Sequence, residues 1–97
     1  VACGTTDGFP DESIRYIIEI LRLDNIERLY VIQNKREIMC FAITSDRNTL
    51  NSDKFAEISI KFEGASKEME YNCIAAENWQ VKEGSLPQDV LVIEKRV

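Results

Sequence analysis

The chain has 97 residues, 44% of them hydrophobic and 30% charged, with 12 Lys+Arg against 17 Asp+Glu, a net charge of -5 and no histidine. That length supports one domain with a single modest core, and the basic residues are scattered, so the electrostatic footprint of a nucleic-acid binder is missing. Without histidine there is no Ser-His or Cys-His nucleophile pair, no imidazole for general acid–base work and no imidazole ligand for zinc; catalysis would fall to carboxylates, lysine or a lone thiolate, and a non-enzymatic role is the leading expectation.

Taken in chain order, residues 1–9 (VACGTTDGF) are small and polar without periodicity. They read as a flexible tether ahead of a single α+β domain over 10–97. Val1-Ala2-Cys3-Gly4 resembles the end of a bacterial lipoprotein signal, with a small residue before the cysteine and glycine after it. The resemblance covers those four residues only; the leucine expected ahead of Val1 and the charged and apolar signal regions are not in this sequence. It implies a lipid on Cys3 and a domain held at the bacterial cell envelope, with no other membrane association. The alternative location is the cytoplasm.

Pro10 suits the first turn of a helix, and Asp11 and Glu12 favour its positive end. Ile14, Ile17, Ile18 and Leu21 then recur at helical spacing, while Glu12, Arg15, Glu19 and Arg22 line the opposite side. Asp24-Asn25 marks the stop, because asparagine tolerates the left-handed conformation at a helix end. Tyr16, Ile20 and Leu23 widen the apolar arc to roughly 200°, beyond the usual stripe of about 100°. Such a helix needs two neighbours, a sheet that curls around it or a second chain on the flank.

The rest of the chain reads as strands. IERLYVIQ and REIMCFAIT flank Asn34-Lys35 as a hairpin, a register that sets Val31 opposite Ile38, Leu29 opposite Cys40 and Tyr30 opposite Met39. After the polar loop SDRNTLNSD, the segments KFAEISIKFE and SKEMEYNCIA flank Gly64-Ala65, and glycine first suits a type II′ turn. That second hairpin would pair Phe62 with Lys67, Ile60 with Met69, Ile58 with Tyr71 and Ala56 with Cys73, with Lys61 beside Glu68 on the polar face. A turn at Gly84 to Pro87 leads to a closing strand, DVLVIEKRV. The expected architecture is one N-terminal helix on a curled antiparallel meander of four to five strands, in the order α-β-β-β-β-β. This order is similar to that of cystatin-like folds, a likeness of architecture that transfers no function.

No residue set in this reading carries chemistry. In a meander Cys40 and Cys73 would lie two strands apart, about 10 Å from the strand spacing, too far for a disulfide, so both read as buried thiols. Asp46, Asn48 and Asp53 are oxygen ligands on a loop, but Leu50 and the missing glycine break the calcium-loop pattern. Glu57, Glu63, Glu68 and Glu70 read as a solvated sheet face. No metal or cofactor is expected. The partner-contact candidates are Asp46 and Arg47 at a loop tip, Trp79 at a strand end, and Tyr16, Ile20 and Leu23 on the spare helix flank. They point to a binding or interaction module with a protein partner or a second copy, an envelope domain or inhibitor. The alternative is a cytoplasmic homodimeric domain that holds a small apolar ligand between helix and sheet.

Overall fold

The computed structural model describes residues 11–65 and 69–95. Pro10, Cys3 and the 1–9 segment lie outside the described residues, as do Lys67 and Glu68. The fold is α+β. Helix α1 (Asp11–Leu21) is followed by strands β1 (Arg28–Gln33) and β2 (Glu37–Ile43), a short helix α2 (Arg47–Leu50), helix α3 (Lys54–Ala65), and strands β3 (Glu70–Ala76) and β4 (Leu91–Glu94). The four strands form a mixed sheet in the order β3-β2-β1-β4.

The meander is corrected at its third element. KFAEISIKFE is a helix, so the second hairpin does not form and its ladder pairs Ile60–Met69, Ile58–Tyr71 and Ala56–Cys73 are absent. Two periodicities coexist in that stretch. Ala56, Ile58, Ile60 and Phe62 alternate as a strand would, whereas Phe55, Ile58, Ser59 and Phe62 fall at i, i+3, i+4 and i+7, one face of a helix. The helical set wins. Phe55 and Ser59 are buried, Ile58 and Phe62 pack against the core, and Ile60 is left 68% exposed. With a helix between them, β2 and β3 pair in parallel, from Glu37 beside Glu70 to Ile43 beside Ala76; a crossover of this length is what a parallel pair requires.

The first hairpin forms with its register moved by two residues. Val31 stands opposite Cys40, Leu29 opposite Ala42 and Tyr30 opposite Phe41. The Asn34 amide donates to the Glu37 carbonyl at 2.9 Å, so the two-residue turn is Lys35-Arg36. A shift of two keeps every side chain on its expected face, which is why burial patterning alone did not separate the two registers. The closing strand β4 pairs antiparallel with β1, Arg28 beside Glu94 and Val31 beside Leu91.

Both faces of the sheet are apolar. On one, Leu29, Val31, Ile38, Cys40, Ala42, Tyr71 and Leu91 pack under α1 and α3. On the other, Tyr30, Ile43, Ala76 and Val90 are buried with help from Val81 and Leu86 of the 77–90 connection. Helix α1 ends as expected, with Asn25 in the left-handed region at φ 68°. Its buried face is rotated from the expected one: Ser13, Tyr16, Ile17 and Ile20 are buried, and Ile18 is 44% exposed. The second neighbour that the wide apolar arc demanded is α3. Tyr16, Phe62 and Tyr71 form an aromatic triangle with ring centroids 4.8 to 6.0 Å apart, and Tyr16 Oη lies 2.7 Å from Ser59 Oγ. Ser59 spends its one proton on the Phe55 carbonyl at 2.8 Å, so the tyrosine is the donor of that pair. Burial pushes the Tyr16 phenol well above the ordinary tyrosine range, against a smaller opposing pull from the Ser59 hydrogen bond.

Candidate functional site

The six described partner-contact candidates scatter over three regions. Tyr16 and Ile20 are fully buried inside the chain, so they are core rather than contact residues, and Leu23 packs half-buried beside them. The flank they form is filled by α3. Asp46 is the N-cap of α2: its carboxylate accepts from the Thr49 amide at 2.9 Å and the Thr49 hydroxyl at 2.8 Å. That capping satisfies a donor the helix start would otherwise leave unpaired. Arg47 is exposed beside it. Trp79 stands on a 3₁₀ turn (Asn78–Gln80), 72% exposed, its indole N–H donating to the Glu77 carboxylate at 3.0 Å.

The clearest candidate surface is the edge of the sheet at β3. Among the described residues, strand pairing leaves β3 with a neighbour on one side only. Natural edge strands are ordinarily blunted by brevity, proline, lysine or a bulge. Strand β4, at the opposite edge, is four residues long and is followed by Lys95, whose ammonium reaches the Leu23 carbonyl at 2.8 Å. Strand β3 runs seven residues, EYNCIAA, with no proline or lysine. Among the described residues it is guarded by Glu63 of α3, which accepts the Tyr71 amide at 3.1 Å. Beyond that point Ile74, beside Phe41 in the ladder and on the sheet face away from the helices, is 50% exposed, and Trp79 follows where the strand ends. Glu63 on α3, Glu70 at the start of β3 and Glu77 just past its end flank the stretch.

At one end of the molecule an open cleft of about 320 Å³ lies between the α1–β1 turn and α2, with Asp24, Asn48 and Lys54 on its walls. A broader groove of about 1060 Å³ adjoins it, floored by Arg28, Ile43 and Asn78. The cleft is mostly polar, and the groove is lined about equally by polar and apolar surface. Among the described residues no three cysteine or carboxylate side chains come together to hold a metal ion, and no described helix is long and apolar enough to cross a membrane.

The cysteines are the second correction of consequence. Parallel pairing makes Cys40 and Cys73 direct ladder partners on neighbouring strands, side by side on the face under the helices. They are free thiols, Cys40 fully buried and Cys73 half-buried. A hydrogen bond between the two side chains, aided by burial, pushes the Cys40 thiol well above the ordinary cysteine range. Sequence reasoning missed this pair because it took the segment between the two strands for a strand of its own. It missed Ile74 because an isoleucine in an apolar run carries no mark of exposure. Comparison of the chain with protein-family models, with curated proteins and with solved structures finds no match.

Proposed function

We propose that this domain is a non-enzymatic interaction module that takes an extended segment of a protein partner as an added strand along the free edge of β3. One observation carries the reading: a seven-residue edge strand without the usual blunting devices, bordered by a half-exposed Ile74 and an exposed Trp79. Main-chain pairing would supply affinity, and alternate side chains of the added strand would meet Ile74 and Phe41 on one face. The carboxylates of Glu63, Glu70 and Glu77 and the net charge of -5 favour a segment that mixes apolar and basic residues. The space between helices and sheet is filled by the Tyr16, Phe62 and Tyr71 rings, which lends no support to an apolar ligand there.

Trp79 is the chain's single tryptophan, so its emission reports on this edge alone. Titration with synthetic peptides that alternate apolar and Lys/Arg residues should blue-shift that emission and move the amide resonances of 72–77. Ile74→Glu should abolish both responses. Resonance changes confined to the cleft beside α2, or none with any such peptide, would remove the reading. The anchoring at a bacterial envelope through a lipid on Cys3 belongs to the same proposal, supported by Val1–Gly4. Expression of the natural reading frame in a bacterial host with a clickable fatty acid should label the protein, and Cys3→Ser should erase the label.

A further inference from the structure

We infer that Cys40 and Cys73 form a reversible dithiol–disulfide site, oxidised by small-molecule disulfides. The inference goes beyond the binding reading and does not rest on it. Geometry carries it. Neighbouring strands are about 4.8 Å apart, within the span of about 4.4 to 6.8 Å that a disulfide bridges between Cα atoms. The two residues are direct ladder partners with side chains on the same face. Cys73 also packs against the core cluster that holds Cys40. Cys73 is half-exposed, and disulfides open to solvent are the more readily reduced ones.

The two cysteines divide the work by position. Cys40 lies in a central strand, fully buried beneath Tyr16 and between Ile38 and Ala42, out of reach of any reagent. Cys73 is half-exposed on the edge strand, with no strand on its outer side among the described residues. Attack therefore starts at Cys73. Its thiolate takes one sulfur of a small disulfide RSSR, forming Cys73–S–S–R and releasing RS⁻, which recovers the proton that Cys73 gave up. Cys40 then attacks the Cys73 sulfur, its proton passing to the departing second thiolate. Two protein thiols are oxidised to one disulfide and one RSSR is reduced to two RSH, so atoms and electrons balance. The new bond would pin edge strand β3 to β2.

The test uses the full chain with hydroxyethyl disulfide as the probe, followed by acid quench, trypsin and mass spectrometry. Cys3, Cys40 and Cys73 fall on separate tryptic peptides, the latter two on 37–47 and 68–82. The expected product joins those two peptides, is released by dithiothreitol, and forms at least about tenfold faster in the native protein than in denaturant, because the fold holds the partners together. In Cys40→Ala, with its fold checked by circular dichroism, the hydroxyethyl adduct should persist on Cys73. A native protein that keeps an unresolved adduct on Cys73, reacts at Cys3 alone, links Cys3 to Cys73, or joins 37–47 to 68–82 no faster than in denaturant overturns the inference. None of these results depends on whether a peptide binds the β3 edge.

Discussion

Ser59→Ala separates the helical α3 from a strand more sharply than any other single change. The serine is 7% exposed and accepts the hydroxyl proton of Tyr16, itself 0% exposed, at 2.7 Å. Removing that acceptor leaves a buried phenolic donor with its desolvation uncompensated, a cost of about 1–3 kcal/mol. Alanine in place of serine improves helix propensity by about 0.5 kcal/mol, so the net loss should be about 1–2 kcal/mol. For a domain of this size that is a fall in Tm of about 5–15 °C. Tyr16→Phe removes the donor while Ser59 keeps its bond to the Phe55 carbonyl, and should cost about 1 kcal/mol. The double variant should then be more stable than the two single losses predict, with a coupling of about 1 kcal/mol. Thermal and urea unfolding followed by circular dichroism measures all three. In a hairpin Ser59 would point to solvent, and its loss would cost no more than about 0.5 kcal/mol. That outcome, or strict additivity, would refute the packing of α3 on α1.

Ile60→Glu offers the converse: on the outer face of α3, 68% exposed, it should change stability by less than about 0.5 kcal/mol in urea titration, where a buried strand position would unfold the domain. The Tyr16 phenol, raised by burial, should make stability pH-dependent at high pH. The folded state holds that proton more tightly than the unfolded chain, so the contribution is complete below the ordinary tyrosine value of about 10 and is lost as pH climbs above it, by up to about 1.4 kcal/mol per pH unit; urea midpoints of Tyr16→Phe should fall less steeply over that range. Asp46→Ala removes the α2 cap and should cost about 1 kcal/mol by the same titration. Trp79→Ala should leave stability within about 0.5 kcal/mol of the parent while weakening peptide binding at the β3 edge, measured by calorimetry.

The sequence by itself determined what local chemistry determines. Helix α1 follows from its apolar spacing and its acidic first turn, and Asn25 ends it in the conformation asparagine tolerates. The first hairpin, the closing strand and the α+β class also follow, because β-branched runs bounded by turn residues have few alternatives. The second apolar run was different. A stretch with Phe55, Ile58, Ile60 and Phe62 satisfies period 2 and period 3.6 almost equally, and the choice falls to whatever surface awaits it. Tyr16 and Ile20 on α1 had an apolar flank to cover, and only a helix brings Phe55, Ile58, Ser59 and Phe62 to it together. That one tertiary decision turned a meander into a parallel crossover. It closed the helix flank that had looked open to a partner and left β3 as an edge strand guarded by Glu63 at its start. It also set Cys40 beside Cys73, a juxtaposition no local pattern encodes, since 33 residues separate them and only strand order brings them together.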